Sequence, residues 1–207
     1  SRMNHTALKC DAFISTNSYI ARMIESDMKK RCYVAPNYYN RLQFMASEHL
    51  CIQKHMTEKE NKFCIGYFSG SPSHVKDFMV VAPELKRLME EYSDVCLKIV
   101  GFMELPNFMS TLQEEGRIKS VPLQNFIDLQ KEIAEVDVNI IPLQDNTFTN
   151  CKSELKYFEA SIVETVSCAT PTYVYKQIIT SGVNGFLCKP GEWYETLKKL
   201  YINGIDK

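Results

Sequence analysis

The 207-residue sequence predicts a domain of the α/β class, and three observations carry that reading. Short runs rich in Val, Ile and Phe, such as FCIGYF, VCLKIV and DVNIIPL, lack polar alternation, as strands buried on both faces do. Between them lie stretches whose apolar residues recur at spacings of three and four, the period of a helix with one buried stripe. The two kinds of segment alternate at short intervals, which is the pattern of a parallel sheet whose crossover connections are helices. Size and composition agree. At 45% hydrophobic and 24% charged residues the chain is neither disordered nor fibrous, and a domain of this length buries roughly 70% of its unfolded surface.

Taken in order, DAFIS, TNSYIARMIESDMKK and CYVAP predict a strand, a helix with Ile20, Ile24 and Met28 on one face, and a second strand stopped by Pro36 and Asn37. This is a βαβ-like unit. Residues 38–61 are polar and mixed, with Leu42, Phe44, Met45 and Leu50 able to form a partly packed helix, and predict a linker. FCIGYF is then a strand, and VKDFMVVAPELKRLMEEY a helix with Val75, Phe78, Ala82, Leu85, Met89 and Tyr92 in its stripe. Pro83 lies inside that pattern and predicts a kink or a late helix start. VCLKIVG is a strand, LPNFMSTLQEE a helix, IKSVPL a strand, Ile127 to Ala134 a helix, and DVNIIPL a strand opened by a structural Asp137. QDNTFTN reads as a polar loop, and Ser153 to Ser167 as a helix with Ser153 as N-cap. ATPTYVY is a further extended run, Lys176 to Thr180 a turn, GFLC a strand, and Trp193 to Tyr201 a final helix anchored by the single tryptophan. The expected architecture is a Rossmann-like parallel sheet with helices on both faces, plus a short N-terminal βαβ remnant of a second domain.

Charge and cysteine usage narrow the function classes. Lys and Arg number 24 against 25 Asp and Glu, so no basic surplus points to nucleic acid, and any anion site is local. The eight cysteines are scattered singly, several inside apolar runs, and no C-x-x-C pair occurs. They read as reduced core residues in a reducing compartment, with the cytoplasm as the default. Apolar runs are strand-sized rather than membrane-spanning, and the start lacks the regions of a signal peptide. His5, His49 and His55 sit in polar surroundings without ligand spacing, so no metal site is expected.

In an open α/β sheet, ligands bind at the carboxyl ends of the strands, so the loops that follow strands carry the functional reading. SGSPSH after FCIGYF is small and flexible, with His74 able to donate to a phosphate and Lys76 in the first turn of the next helix. In NCKSELKYFEAS, Lys152, Lys156 and Glu159 lie beside the buried stripe at spacings of four and three. Two cations and one carboxylate near a helix start suit a nucleoside diphosphate, with amides and Lys for phosphate and a carboxylate for ribose hydroxyls. The plainer alternative is a solvated Lys156 to Glu159 surface pair, worth about 0.3–0.5 kcal/mol. VPLQN can offer backbone groups to a base. Asp145 and Asn146 are candidates to face a sugar, and Phe148 packs its loop.

The strings GYFSGSPSHVKDF, LKIVG, AEVDVNIIPLQDNTFTNCKSELKYFEAS and SGVNGFL together resemble the donor-binding half of the group 1 glycosyltransferases of the two-domain B-type fold. Within that family, KSELKYFEA is similar to the branch found in rhamnan and other surface-polysaccharide biosynthesis. The resemblance covers roughly residues 63–201. It implies that residues 1–37 end an N-terminal acceptor domain, 38–61 link, and 62–207 bind a nucleotide-sugar donor. It implies a UDP-, GDP- or dTDP-sugar, a glycan or lipid-linked acceptor, the rest of the acceptor domain as a partner, no other cofactor, retention of configuration, and compatibility with peripheral membrane association.

By the same resemblance, Lys76, Lys152 and Glu159 act in catalysis. The donor contacts are Gly70, Ser71, His74, Lys76, Pro122, Leu123, Lys152, Ser153, Glu154, Leu155 and Glu159. Lys76 stands at the family's diphosphate lysine, but Ser71 replaces its arginine. Glu159 stands at the ribose glutamate, but Cys151 replaces the earlier glutamate that faces the sugar. These two departures leave a second reading open, a non-catalytic nucleotide-binding or interaction module. The part before residue 62 is too short for a whole acceptor domain, so the 207 residues alone are expected to bind nucleotide without efficient transfer.

Overall fold

The structure, a computed structural model, describes residues 2–57, 61–70 and 75–204. Its centre is a six-stranded, all-parallel sheet made of β3 (Phe63–Ser69), β4 (Val95–Gly101), β5 (Ile118–Val121), β6 (Val138–Ile141), β7 (Val166–Ala169) and β8 (Phe186–Leu187). The spatial order is β5-β4-β3-β6-β7-β8. The chain therefore builds outward from β3 in one direction, returns, and builds outward from β6 in the other. Adjacent strands β3 and β6 flank the point where strand order reverses, and a crevice opens there at the carboxyl edge.

Helices cover both faces. Phe63, Ile65 and Tyr67 of β3 and Val95, Leu97 and Ile99 of β4 pack with α4 (Val75–Phe78), α5 (Ala82–Glu91) and α11 (Trp193–Asn203), where Phe78, Leu85, Leu88, Trp193 and Leu197 are fully enclosed. The alternate residues Phe68 and Val100 face α7 (Phe126–Ala134) and α9 (Leu155–Ser161), as the two-residue strand period requires. Lys98 also lies on that face, and its ammonium is held 2.9 Å from Glu132 and 2.5 Å from Glu135 at the end of α7. Gly66 is needed for packing, since a Cβ there would stand 2.8 Å from both Phe68 and Val136.

Ahead of the sheet, α1 (Arg2–Ala7) precedes a parallel pair, β1 (Phe13–Ser15) and β2 (Cys32–Val34), joined through α2 (Ser18–Met28), as the sequence predicts. Asn17 caps α2 by accepting from the Ile20 amide at 2.9 Å. The polar stretch that follows contains α3 (Arg41–Met56), a 16-residue helix laid against α7, with Ser47 donating to Gln130 at 3.2 Å. Its helical core was legible; its length was not, because it buries Gln43 and Ser47 and exposes Leu42, Met45 and Ile52.

Several boundaries differ from the sequence reading. Pro83 lies in the first turn of α5, the late helix start that its place in the pattern predicts, and 79–81 is a break between α4 and α5. LPNFMSTLQEE divides into a 3-10 turn, Asn107–Met109, and α6 (Ser110–Glu114). QDNTFTN is not all loop, because Asn146 forms a capping box with Thr149 over α8 (Thr147–Asn150). Ser153 is not a cap; Glu154 holds the N-cap position of α9, without a side-chain capping bond. That helix ends at Ser161, and Val166 belongs to β7. In the run ATPTYVY, Ala169 ends β7 and Tyr175 opens α10 (Tyr175–Ile178).

At the carboxyl end of β4, Gly101 has φ +100, and a Cβ there would lie 1.9 Å from the Ser69 carbonyl oxygen. Ser69 in turn donates to the Phe102 carbonyl at 2.6 Å, tying the β3 and β4 exits together. Gly101→Ala is expected to lower the unfolding free energy by about 1–3 kcal/mol, read from urea denaturation, while Gly116→Ala, whose Cβ would meet nothing, costs less.

Candidate functional site

A cavity of about 510 Å³ occupies the crevice at the switch point. Its floor is the ends of β3 (Phe68, Ser69, with Gly70 beyond), β4 (Val100) and β6 (Ile141, then Leu143). One wall is the loop 151–153 and α9, contributing Cys151, Lys152, Ser153, Leu155, Lys156 and Glu159. The opposite wall carries Leu123, Gln124 and Leu129, and Thr16 and Tyr175 close the ends. The apolar floor and rim are suited to a flat ring, and the polar groups are concentrated on one side.

Lys152 is anchored. Its Nζ lies 3.1 Å from Asp77, a buried carboxylate on α4 that also accepts from the Gln144 amide at 3.0 Å. Asp77 thus joins the segment after β3 to two segments after β6 across the crevice. The backbone of the same loop is gripped from the N-terminal unit, where Asn17 Nδ2 donates to the carbonyls of Cys151 and Lys152 at 3.3 and 3.1 Å. The amide of Ser153, a residue of the cavity wall, has no acceptor among the described residues and remains available to a ligand.

Lys156 differs from Lys152. It lines the cavity from the first turn of α9, and its Nζ lies 5.3 Å from the Tyr67 ring centroid without a hydrogen bond or ion pair among the described residues. Burial pushes its ammonium down to about 8; the Lys152 charge adds to that fall, and Asp77 and Glu159 oppose it. Burial raises the Glu159 carboxyl, and the Lys156 charge pulls it back. Glu154 lies behind the cavity wall with Oε2 buried and unpartnered among the described residues, and its charge with that of Glu159 reinforces the upward shift that burial imposes on Tyr175.

Of the residues expected from the sequence, Gly70, Leu123, Lys152, Ser153, Leu155 and Glu159 come together here. Lys76 is exposed on α4 and does not line the cavity, and neither Pro122 nor the buried Glu154 does. Ser71 and His74 lie outside the described residues. Asp145 lines a separate hollow of about 400 Å³ with Tyr19, Asn150 and Tyr173; Asn146 is spent on its cap. Phe148 is exposed, with Lys152 5.3 Å over its ring rather than packed beneath the loop. Among the described residues no group of His, Cys, Asp and Glu could hold a metal ion, and no helix is long and apolar enough to cross a membrane. The sequence reading left Lys156 between a phosphate ligand and a surface charge, and it missed Asp77 and Asn17. The spacing of Lys156 and Glu159 was visible, but the contacts of Asp77 and Asn17 span 67 to 135 residues and leave no local signal.

A six-stranded parallel sheet in this order, with its cavity at the reversal point, defines a doubly wound, Rossmann-like α/β domain. Residues 62–203 match the family model of the group 1 glycosyl transferases, and the chain belongs to that family. No curated protein matches it. Among solved structures it is similar to Anabaena HepE in complex with UDP and glucose, with TM-score 0.67 and 18% identity, covering 97% of this chain and 56% of that one. It is similar also to the pneumococcal O-GlcNAc transferase GtfA in complex with UDP and GlcNAc, with TM-score 0.67, 14% identity and coverage of 96% and 40%. Sucrose-phosphate synthase from Thermosynechococcus elongatus gives TM-score 0.68, 13% identity and coverage of 96% and 51%. These likenesses concern the fold, and the chain spans about half the length of such proteins.

Two stability outcomes follow. Asp77→Asn weakens the Lys152 pair and is expected to lower the unfolding free energy by about 1–3 kcal/mol in urea denaturation at pH 7. Lys156 titrates in the fold below its ordinary value of 10.5, so between about pH 8 and 10.5 the unfolded chain binds more protons and stability rises with pH. Lys156→Met removes the desolvated cation and is expected to raise stability by about 1–3 kcal/mol at pH 7, the gain vanishing by pH 10.5, as chemical denaturation across that range will show.

Proposed function

We propose that this chain is the donor-binding part of a glycosyltransferase, holding a nucleoside-diphosphate sugar for transfer to a glycan or lipid-linked acceptor. The observation that carries the reading is the switch-point cavity, with Lys152 and the Ser153 amide, which has no acceptor among the described residues, on the wall that also presents Glu159. The base lies toward Leu123 and Gln124, the ribose hydroxyls donate to Glu159, and the diphosphate faces Lys152 and the amide of Ser153. As the bond to the sugar breaks, negative charge grows on the departing diphosphate, and positive groups already fixed around it lower the barrier without reorganising. The exposed Lys76 is left with at most an outer role. The family membership, and the UDP with sugar found in HepE and GtfA, support a nucleotide-sugar donor.

The N-terminal unit fits the closing segment of an acceptor domain. β1 and β2 expose Ile14, Tyr33 and Val34 to 75%, 51% and 44%, a surface suited to further layers of such a domain. In this reading residues 1–37 end that domain, 38–61 link, and 62–207 hold the donor. Its partial coverage of HepE and GtfA supports a longer enzyme, with transfer requiring the remainder.

Calorimetric titration with UDP, GDP and dTDP tests the reading. One of them is expected to bind. Glu159→Gln is then expected to weaken the riboside about tenfold or more, while leaving affinity for its 2′,3′-dideoxy counterpart unchanged. A folded protein that binds none of the three would refute the assignment.

A further inference from the structure

We propose that Lys156 is the principal cation for the donor's diphosphate, and that it takes up a proton from solution when the donor binds. The inference rests on the donor-site reading above and adds which side chain bears the charge and how binding couples to pH.

The geometry separates the two lysines of the wall. Lys152 already has a counter-charge, since its ammonium is 3.1 Å from the buried Asp77. A diphosphate reaching Lys152 meets a pair whose net charge is near zero, and must compete with a carboxylate that the Gln144 amide also holds in place. Lys156 has no such partner. It is a half-buried residue of the cavity wall, its ammonium lies 5.3 Å from the Tyr67 ring centroid, and it has no acceptor within bonding distance among the described residues. An unpaired, poorly hydrated cation in a crevice costs free energy while the crevice is empty. An incoming anion removes that cost, so the interaction is strongest where solvent competes least.

The charged and titratable groups around it come from every packed element. They are Asp77 on α4, Lys152 in the loop before α9, Glu159 on α9 itself, Tyr67 on β3 and Tyr175 on α10. In the free protein burial and Lys152 outweigh the two carboxylates, leaving the ammonium half ionised near pH 8. A diphosphate contributes more negative charge than either carboxylate and favours the ammonium form. The ligand-bound protein then holds more protons than the free protein. By linkage, affinity is greatest below pH 8 and falls as pH rises through that value.

Isothermal titration of the 207-residue chain with UDP, GDP and dTDP, each in two buffers of different ionisation enthalpy, measures both affinity and proton uptake. For the nucleotide that binds, uptake is expected to be roughly half a proton at pH 8 and near zero at pH 6.5. Affinity is expected to drop about fourfold between pH 7 and 8.5, a range in which phosphate is largely ionised. Lys156→Gln and Lys156→Met, both checked for folding by circular dichroism, are expected to lose at least tenfold in affinity at pH 7 and to abolish any remaining uptake. Wild-type binding without uptake at pH 8, or unchanged affinity in both variants, overturns the role of Lys156 and leaves the donor site intact. Failure of all three nucleotides to bind the wild-type chain overturns both readings.

Discussion

Asp77 and the groups it holds set the geometry on which the site depends. Where strand order reverses between β3 and β6, the two halves of the sheet send their connections in opposite directions, and no crossover helix fills the gap. Asp77, on the first turn after β3, reaches over it to the Gln144 amide and the Lys152 ammonium, both on segments that follow β6. A carboxylate so enclosed keeps its charge only with partners of this kind, and the partners are held because it is there. Asn17 closes the same loop from the other side by taking two of its carbonyls. The position of Ser153, Leu155 and the α9 side chains follows from these two anchors.

Around that brace the protein divides its interior between two purposes. Under α4, α5 and α11 the packing is apolar, with Tyr67, Phe78, Leu85 and Trp193 enclosed, and burial there is a stabilising contribution. At the carboxyl edge the same enclosure falls on Lys156, Glu154 and Glu159, where it opposes the charged state or leaves oxygen atoms without donors. Such groups add nothing to folding. In the donor site proposed above, their burial would tie recognition to local instability.

Much of the scaffold was legible because it is written in local periodicity. The uninterrupted apolar strands, the stripe through Leu85 and Met89, and the helical runs through Ile24 and from Ile127 to Ala134 act within a few residues, and each produced the element expected. Errors occurred where short polar segments settle their shape by capping, as at Asn146, and where a helix start was placed on Ser153 rather than Glu154. In α3 the sequence misleads for a different reason, since its inward face is Gln43 and Ser47 and its outward face keeps Leu42 and Ile52.

By itself, the sequence determined an alternating parallel α/β domain, a family resemblance, and a short run in which Lys152, Lys156 and Glu159 recur at spacings of four and three. Those properties depend on residue type and spacing along one chain segment. Only the tertiary structure decided that Lys152 is neutralised, that Lys156 is not, and that Lys76 stands apart on the surface. Ionic character depends on the distance to counter-charges and to water, and here both are set by residues up to 135 positions away.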